Sequence, residues 1–154
     1  MCQVDISNQI DNSWNKHSVM ALVGKGIKFA VKINSSDKRK IRKRFRKSMT
    51  EGDIACWMHA FLIFVCWREN KTVGKLEICP DCRPTAKVYD YIQKIAKVSG
   101  YPDFNSIVAM TFSTIKQSSP AHALAKKAFK HNKRVSYTIT EADRNELIEI
   151  MRRK

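Results

Sequence analysis

The sequence predicts an α/β protein built as three layers, a mixed sheet flanked by helices. Three observations predict it. Short β-branched stretches alternate along the chain with stretches whose apolar residues recur at helical spacing. Residue pairs that start helices recur between them: Ser35-Ser36, Ser119-Pro120 and Thr140 followed by Asp143. The chain has 154 residues, 44% of them hydrophobic, enough for one core without metal or disulfide support.

In chain order, residues 1–18 carry Asn, Ser, Asp and Gln and read as a loosely ordered lead-in, with residues 19–154 forming a single domain. Residues 19–34 read as one half-buried strand, in which Ile27, Phe29, Val31 and Ile33 alternate with Lys28 and Lys32 on a basic outer face and Gly24-Lys25-Gly26 marks at most an interrupting turn. A cationic helix follows, docked by Ile41, Phe45 and Met49. The run from Ile54 to Trp67 is apolar at nearly every position and is read as a central strand, paired through a turn at 68–72 with a returning strand from Val73 to Cys79. Pro84 opens a helix carrying Val88, Ile92, Ile95 and Ala96, which Ser99-Gly100 ends. Residues 104–115 read as a strand, 119–130 as a second basic helix, 135–139 as a short strand, and the segment from Thr140 as the last helix, with Leu147, Ile148 and Met151 inward.

Charge bounds the function. Lys and Arg number 29 and Asp and Glu 14, a formal net charge of +15. Eight of these cations lie within residues 37–47: Lys38, Arg39, Lys40, Arg42, Lys43, Arg44, Arg46 and Lys47. A helix with one narrow apolar stripe and cations on every other face suits a polyanion whose counterions it displaces. Lys126, Lys127, Lys130, Lys133 and Arg134 form a second basic edge. The leading expectation is therefore a protein that binds RNA or DNA through backbone phosphates, with no cofactor and no small-molecule ligand; an adaptor for acidic proteins is the bland alternative. No membrane span is expected, because the apolar run at 54–67 holds His59 and falls short of the roughly 20 residues a spanning helix needs. An N-terminus without a basic and apolar leader, together with an odd cysteine count, gives the expectation of an intracellular compartment, cytoplasmic or nuclear.

With the cationic helix set aside as an insertion, the order strand, strand, strand, helix, strand, helix, strand, helix resembles the ribonuclease H-like superfamily over residues 19–154. That resemblance implies phosphodiester hydrolysis with Mg²⁺ or Mn²⁺ held by carboxylates on the first strand, first helix, fourth strand and last helix. Carried onto this chain, it offers Asp90 on the first helix, Asp143 and Glu146 on the last, and Glu77 and Asp81 bordering the third strand. The first strand presents Lys28, Lys32 and Asn34, and residues 106–115 carry no acid. Two of four positions are empty, so the resemblance implies a scaffold whose nuclease activity is absent or degenerate. The competing reading makes Asp143 a helix cap, Asp90 a polar-face residue and Glu77 an outward strand residue.

Cys79-Pro80-Asp81-Cys82 has the spacing of a dithiol redox motif, and at a strand end before a helix it resembles a thioredoxin-type site, with Cys79 attacking and Cys82 resolving. A zinc reading joins Cys56 and His59 to Cys79 and Cys82 as a Cys₃His set. The third reading makes Cys56 and Cys66 small buried hydrophobes and Cys79 and Cys82 an incidental pair. His122, beside Lys126, is placed to contact a phosphate or move a proton, or to be an ordinary surface histidine.

Overall fold

The computed structural model describes residues 1–153. Its strands are β1 (Cys2–Ser7), β2 (Ser18–Gly24), β3 (Ile27–Ile33), β4 (Lys75–Ile78), β5 (Ala109–Phe112) and β6 (Tyr137–Thr138). Its helices are α1 (Ser35–Phe45), α2 (Glu51–Arg68), α3 (Thr85–Val98), α4 (Phe104–Ile107), α5 (Pro120–Lys130) and α6 (Glu141–Arg152). The strands form one mixed sheet in the order β5-β4-β1-β2-β3-β6. β1, β2 and β3 run antiparallel as a meander, β4 and β5 lie parallel to β1 on its far side, and β6 is parallel to β3. The hairpin between β2 and β3 turns through Lys25 and Gly26, both at positive φ (49° and 79°), as a two-residue loop matched to strand twist requires.

The lead-in at 1–18 is corrected. Cys2, Val4 and Ile6 alternate with Gln3, Asp5 and Ser7, and that period makes residues 2–7 the strand between β2 and β4. Its apolar side joins the main core. The stretch from Ile54 to Trp67 is also corrected: it is helix, fully buried along its length, and Thr50 caps it by accepting the Asp53 N–H. Fourteen residues, thirteen of them apolar, exceed what a strand across this sheet spans, while a helix walled by the sheet and its neighbours needs no polar face. β4 consequently has no hairpin partner from 54–67 and pairs in parallel instead. In the segment 104–115 a one-turn helix precedes a four-residue strand.

Strand alternation divides the helices into two layers. Val4, Ile6, Met20, Leu22, Val31 and Ile33 face the large core with α1, α2, α3 and α6. Val19 and Ala30 face the opposite side, where α5 covers β1, β2 and β3 through Ala128, Leu124 and Phe129. Three layers result, as expected. Asp5, opposite Ala21, which is in turn opposite Ala30, lies in the row beneath α5. The capping box at Thr140 and Asp143 and the Ser119 cap on α5 form as the sequence indicates, whereas α1 starts without a side-chain cap. No helix among the described residues is long and apolar enough to cross a membrane.

Lys38 departs from its expected place in the basic surface. It is fully buried, and its ammonium donates to Ser13 O, Lys16 O and Ser18 Oγ, each at 2.9 Å. It thus ties the connection between β1 and β2 onto α1. Burial lowers its pKa from 10.5 to about 8, against the pull of Asp11. Between those values the unfolded chain holds a proton that the folded chain has released, so this contribution to stability rises with pH from about 8 to 10.5. Lys38→Met should lower unfolding free energy in urea by about 2–4 kcal/mol, because three acceptors lose their donor. It should also flatten that alkaline rise.

Candidate metal centre and basic cleft

Asp5 stands at the middle of the central strand and is 4% exposed. Its Oδ1 accepts the N–H of Ile6 at 2.8 Å, and its Oδ2 lies 2.9 Å from His122 Nδ1 on the first turn of α5. Helix α5 can deliver this histidine because the Ser119 cap fixes its start and Ala121, Ala125 and Ala128 let it lie close to the sheet. On Asp5's other side the chain leaving β4 folds over. Cys79 N–H donates to Val4 O at 3.0 Å and Asp81 N–H to Cys79 O at 2.8 Å, which turns Asp81 back toward β1.

Asp5, Cys79 and Asp81 each bring one ligand atom to within 4.8 Å of the others, the one such group among the described residues. The Asp81 carboxyl is in hydrogen-bonding reach of Asp5, and its pKa is pushed up to about 6, by burial first and then by the Asp5 carboxylate. Gln9 Nε2 reaches its Oδ1 at 3.5 Å, whereas Oδ2 is buried without a partner. Burial, with Asp81 and Asp5 adding to it, raises the Cys79 thiol to about 12. Two carboxylates in contact, one with an orphaned buried oxygen, are an arrangement that a bound cation would satisfy.

His122 is also part of the wall of a cleft of about 390 Å³ lined by Gln117, Ala123, Lys126, Lys127, Lys130 and His131. An adjoining depression is bordered by Lys28, Lys127 and Arg134. The second basic edge therefore runs beside the acids. The first does not: α1 packs on α2 and α6, across the sheet from α5. There Arg39, Lys40, Lys43, Arg44, Arg46 and Lys47 are exposed, while Arg42 pairs with Glu51 and lies over Trp14, 5.2 Å from the ring centroid.

The other sequence candidates have structural partners. Asp90 is exposed and pairs with Lys94 at 3.1 Å. Asp143 completes the α6 capping box, accepts from Tyr137 OH at 2.5 Å and pairs with Arg68 at 3.3 Å. Glu77 accepts from Gln3 Nε2 at 2.8 Å. Cys56, His59, Cys79 and Cys82 do not converge on a common point: Cys82 Sγ meets Cys56 Sγ at 3.0 Å, Cys79 joins the two aspartates, and His59 is buried in α2 with its pKa lowered to about 4 by burial. Asp5 is the residue sequence reasoning missed, although the alternation around it was visible. Compared with known proteins, the chain matches no family model, no curated protein and no solved structure.

The raised Asp81 pKa has a measurable sign. From pH 3.8 to about 6 the folded chain holds a proton that the unfolded chain has lost, so this contribution to stability fades as pH rises and is gone at neutrality. Asp81→Asn should remove that slope and raise the melting temperature of the metal-free protein at pH 7 by about 3 °C. Mn²⁺ should stabilise the wild type at pH 7, less so below pH 6, and leave Asp81→Asn unmoved in the same thermal scan.

Proposed function

We propose that this protein is a divalent-metal-dependent phosphodiesterase acting on nucleic acid, with a ribonuclease H-like arrangement of its central strands. The carrying observation is the meeting of Asp5, from the centre of β1, with Asp81, from the end of β4, joined through His122 to the wall of a lysine-lined cleft. The strand run β5-β4-β1-β2-β3, with a meander first and parallel strands after, supports the likeness, with β6 as an addition. In this register the first-strand and fourth-strand carboxylates that the resemblance implies are Asp5 and Asp81; among the described residues no first-helix or last-helix acid joins them, and His122 on α5 reaches Asp5 instead. Lys38 lies outside the proposed surface.

Asp5 and Asp81 would hold the cation, with Cys79 beside them. When bound, it supplies a lowered pKa for an attacking water and charge neutralisation at the leaving oxygen. The chain's own groups do the rest. Lys126, Lys127 and Lys130, exposed along one side of α5, bind the backbone phosphates and hold the strand in the cleft. Asp5, once ionised, accepts from His122 Nδ1–H and fixes the ring, so that in the neutral imidazole Nε2 is left as an acceptor. That nitrogen can take a proton from water or, once charged, return one to a leaving oxygen. No base-reading element is evident, and phosphate contact without base contact gives affinity without sequence preference.

The test is cleavage of mixed single-stranded and double-stranded RNA and DNA with Mn²⁺ or Mg²⁺. Asp5→Asn and Asp81→Asn should each reduce the rate by at least about 100-fold, with binding retained. Replacing Lys126, Lys127 and Lys130 by Ala should weaken binding and reduce the slope of log affinity against log salt by about 2–3, from about 0.7–0.9 per phosphate contact. Replacing Arg44, Arg46 and Lys47 should change that slope less. Equal slopes for the two triple variants would place the nucleic acid elsewhere, and cleavage that survives Asp5→Asn would remove this site from the chemistry.

A further inference from the structure

We propose that Cys56 and Cys82 form a reversible intramolecular disulfide, a redox modification site separate from the phosphodiester chemistry above. The chain holds five cysteines, all free thiols in the structure. Three of them are unsuited to exchange with one another. Cys2 is buried under the hairpin glycine Gly24, Cys66 is sealed within α2 where burial raises its pKa, and Cys79 faces Asp5 and Asp81. The remaining two meet: Cys56 Sγ, from the N-terminal half of α2, lies 3.0 Å from Cys82 Sγ, in the loop between β4 and α3. This replaces the adjacent pair Cys79 and Cys82 that sequence spacing suggests with a pair 26 residues apart.

The two sulfurs are unequal in access. Cys56 is 1% exposed and Cys82 partly exposed, so a small oxidant meets Cys82 first. Each thiol is the other's hydrogen-bond partner, and Cys56 Sγ is also 3.6 Å from Arg83 O. The shared hydrogen bond lowers the Cys56 pKa and, with burial, raises that of Cys82, so a thiolate on the pair rests chiefly on Cys56 and Cys82 carries it only in the minor form. The sequence of bonds follows from access. Cys82, when it carries the thiolate, attacks one sulfur of glutathione disulfide, forming a mixed disulfide and releasing one glutathione thiolate. Cys56, as thiolate, then attacks the Cys82 sulfur and displaces the second glutathione. The protein loses two thiol protons and two electrons, and one glutathione disulfide becomes two glutathione thiols. Excess dithiothreitol reverses both steps.

The crosslink would join α2, buried from Ile54 to Trp67, to the loop that carries Asp81. The experiment equilibrates the full chain with glutathione disulfide, alkylates it and maps its peptides by mass. The expected result is loss of two of the five alkylable thiols, a mass lower by two hydrogens, a peptide joining Cys56 to Cys82, and recovery of all thiols with dithiothreitol. The oxidised form should melt about 5–10 °C higher. Cys79→Ser should still form the crosslink, which separates it from the adjacent-cysteine pairing. Five alkylable thiols after oxidation, a Cys79–Cys82 peptide, or a mixed glutathione adduct that never resolves would each overturn the proposal. None of these readouts depends on metal or nuclease activity, so the disulfide stands or falls apart from the proposed function.

Discussion

A carboxylate buried in the middle of the central strand is the constraint around which one face of this molecule is built. Asp5 has strands on both sides and is 4% exposed, so water cannot solvate it. An ionised carboxylate so placed is several kcal/mol less favourable than in water unless hydrogen bonds or opposite charge compensate. Two donors serve it: the Ile6 N–H from its own strand and the His122 ring from α5. Its other close neighbour, Asp81, makes matters worse. Burial of Asp81 itself, and then the second acid against the first, leave Asp81 holding its proton to about pH 6. A chain selected only for stability has a simpler solution in Asn at either position. The presence of both acids beside lysines is what the proposal of a cation site rests on.

The position of α5 follows from the same alternation. Ala21 and Ala30 continue the row begun by Asp5, and Ala121, Ala125 and Ala128 answer them from the helix, so the layers approach closely around the acid. His17 strengthens the seating by stacking on Phe129, with ring centroids 4.4 Å apart, and by bonding its carbonyl. Lys126, Lys127 and Lys130 are left on the outward side. On the opposite layer α1 sends Ile41 and Phe45 inward, and Lys38 goes with them as a buried clamp. The densest cationic run in the sequence is therefore a surface across the sheet from the acids. The sparser run on α5 is the one that adjoins them.

Much of this was legible in the chain. The alternation of β3, the proline-started helices α3 and α5, and the Thr140 capping box each carry a local chemical signature that survives folding unchanged. The failures have physical causes too. β1 is short and its polar positions hold Gln, Asp and Ser, so the strand resembles a loop unless Cys2, Val4 and Ile6 are counted against them. α2 has almost no apolar asymmetry because every side is covered, and a run without a polar face carries no period to read. Those errors shifted the strand count. With residues 2–7 read as a loop, β2 and β3 as one strand over 19–34, and α2 as a strand, the first strand of the resemblance falls on 19–34, whose polar positions are lysines. The acids found instead, Asp90 and Asp143, are a surface ion pair and a helix cap. Lys38 was beyond reach, since nothing local distinguishes it from the seven cations around it.

The loop from residues 79 to 84 joins the two chemical features of the molecule. Its start is held to β1 by the Cys79 N–H on Val4 O, which turns Cys79 and Asp81 toward Asp5. Its end is held to α2 by the contact of Cys82 with Cys56 and by the first turn of α3, where Lys87 pairs with Asp53 at 3.0 Å. Asp81 thus sits between two anchors, one on the sheet and one on the most buried helix. Its carboxylate is the less buried of the two acids, and burial first, then Asp5, pushes its pKa up to about 6. If a cation enters between the aspartates, Asp5 has no freedom to adjust to it, being fixed by its strand. Adjustment of distance and angle falls to Asp81, within the play that the Cys56 contact allows. A covalent bond at that contact would narrow the play, so that, were both proposals to hold, the oxidation state of the thiol pair would bear on the fit of a cation between the acids through one short segment of backbone.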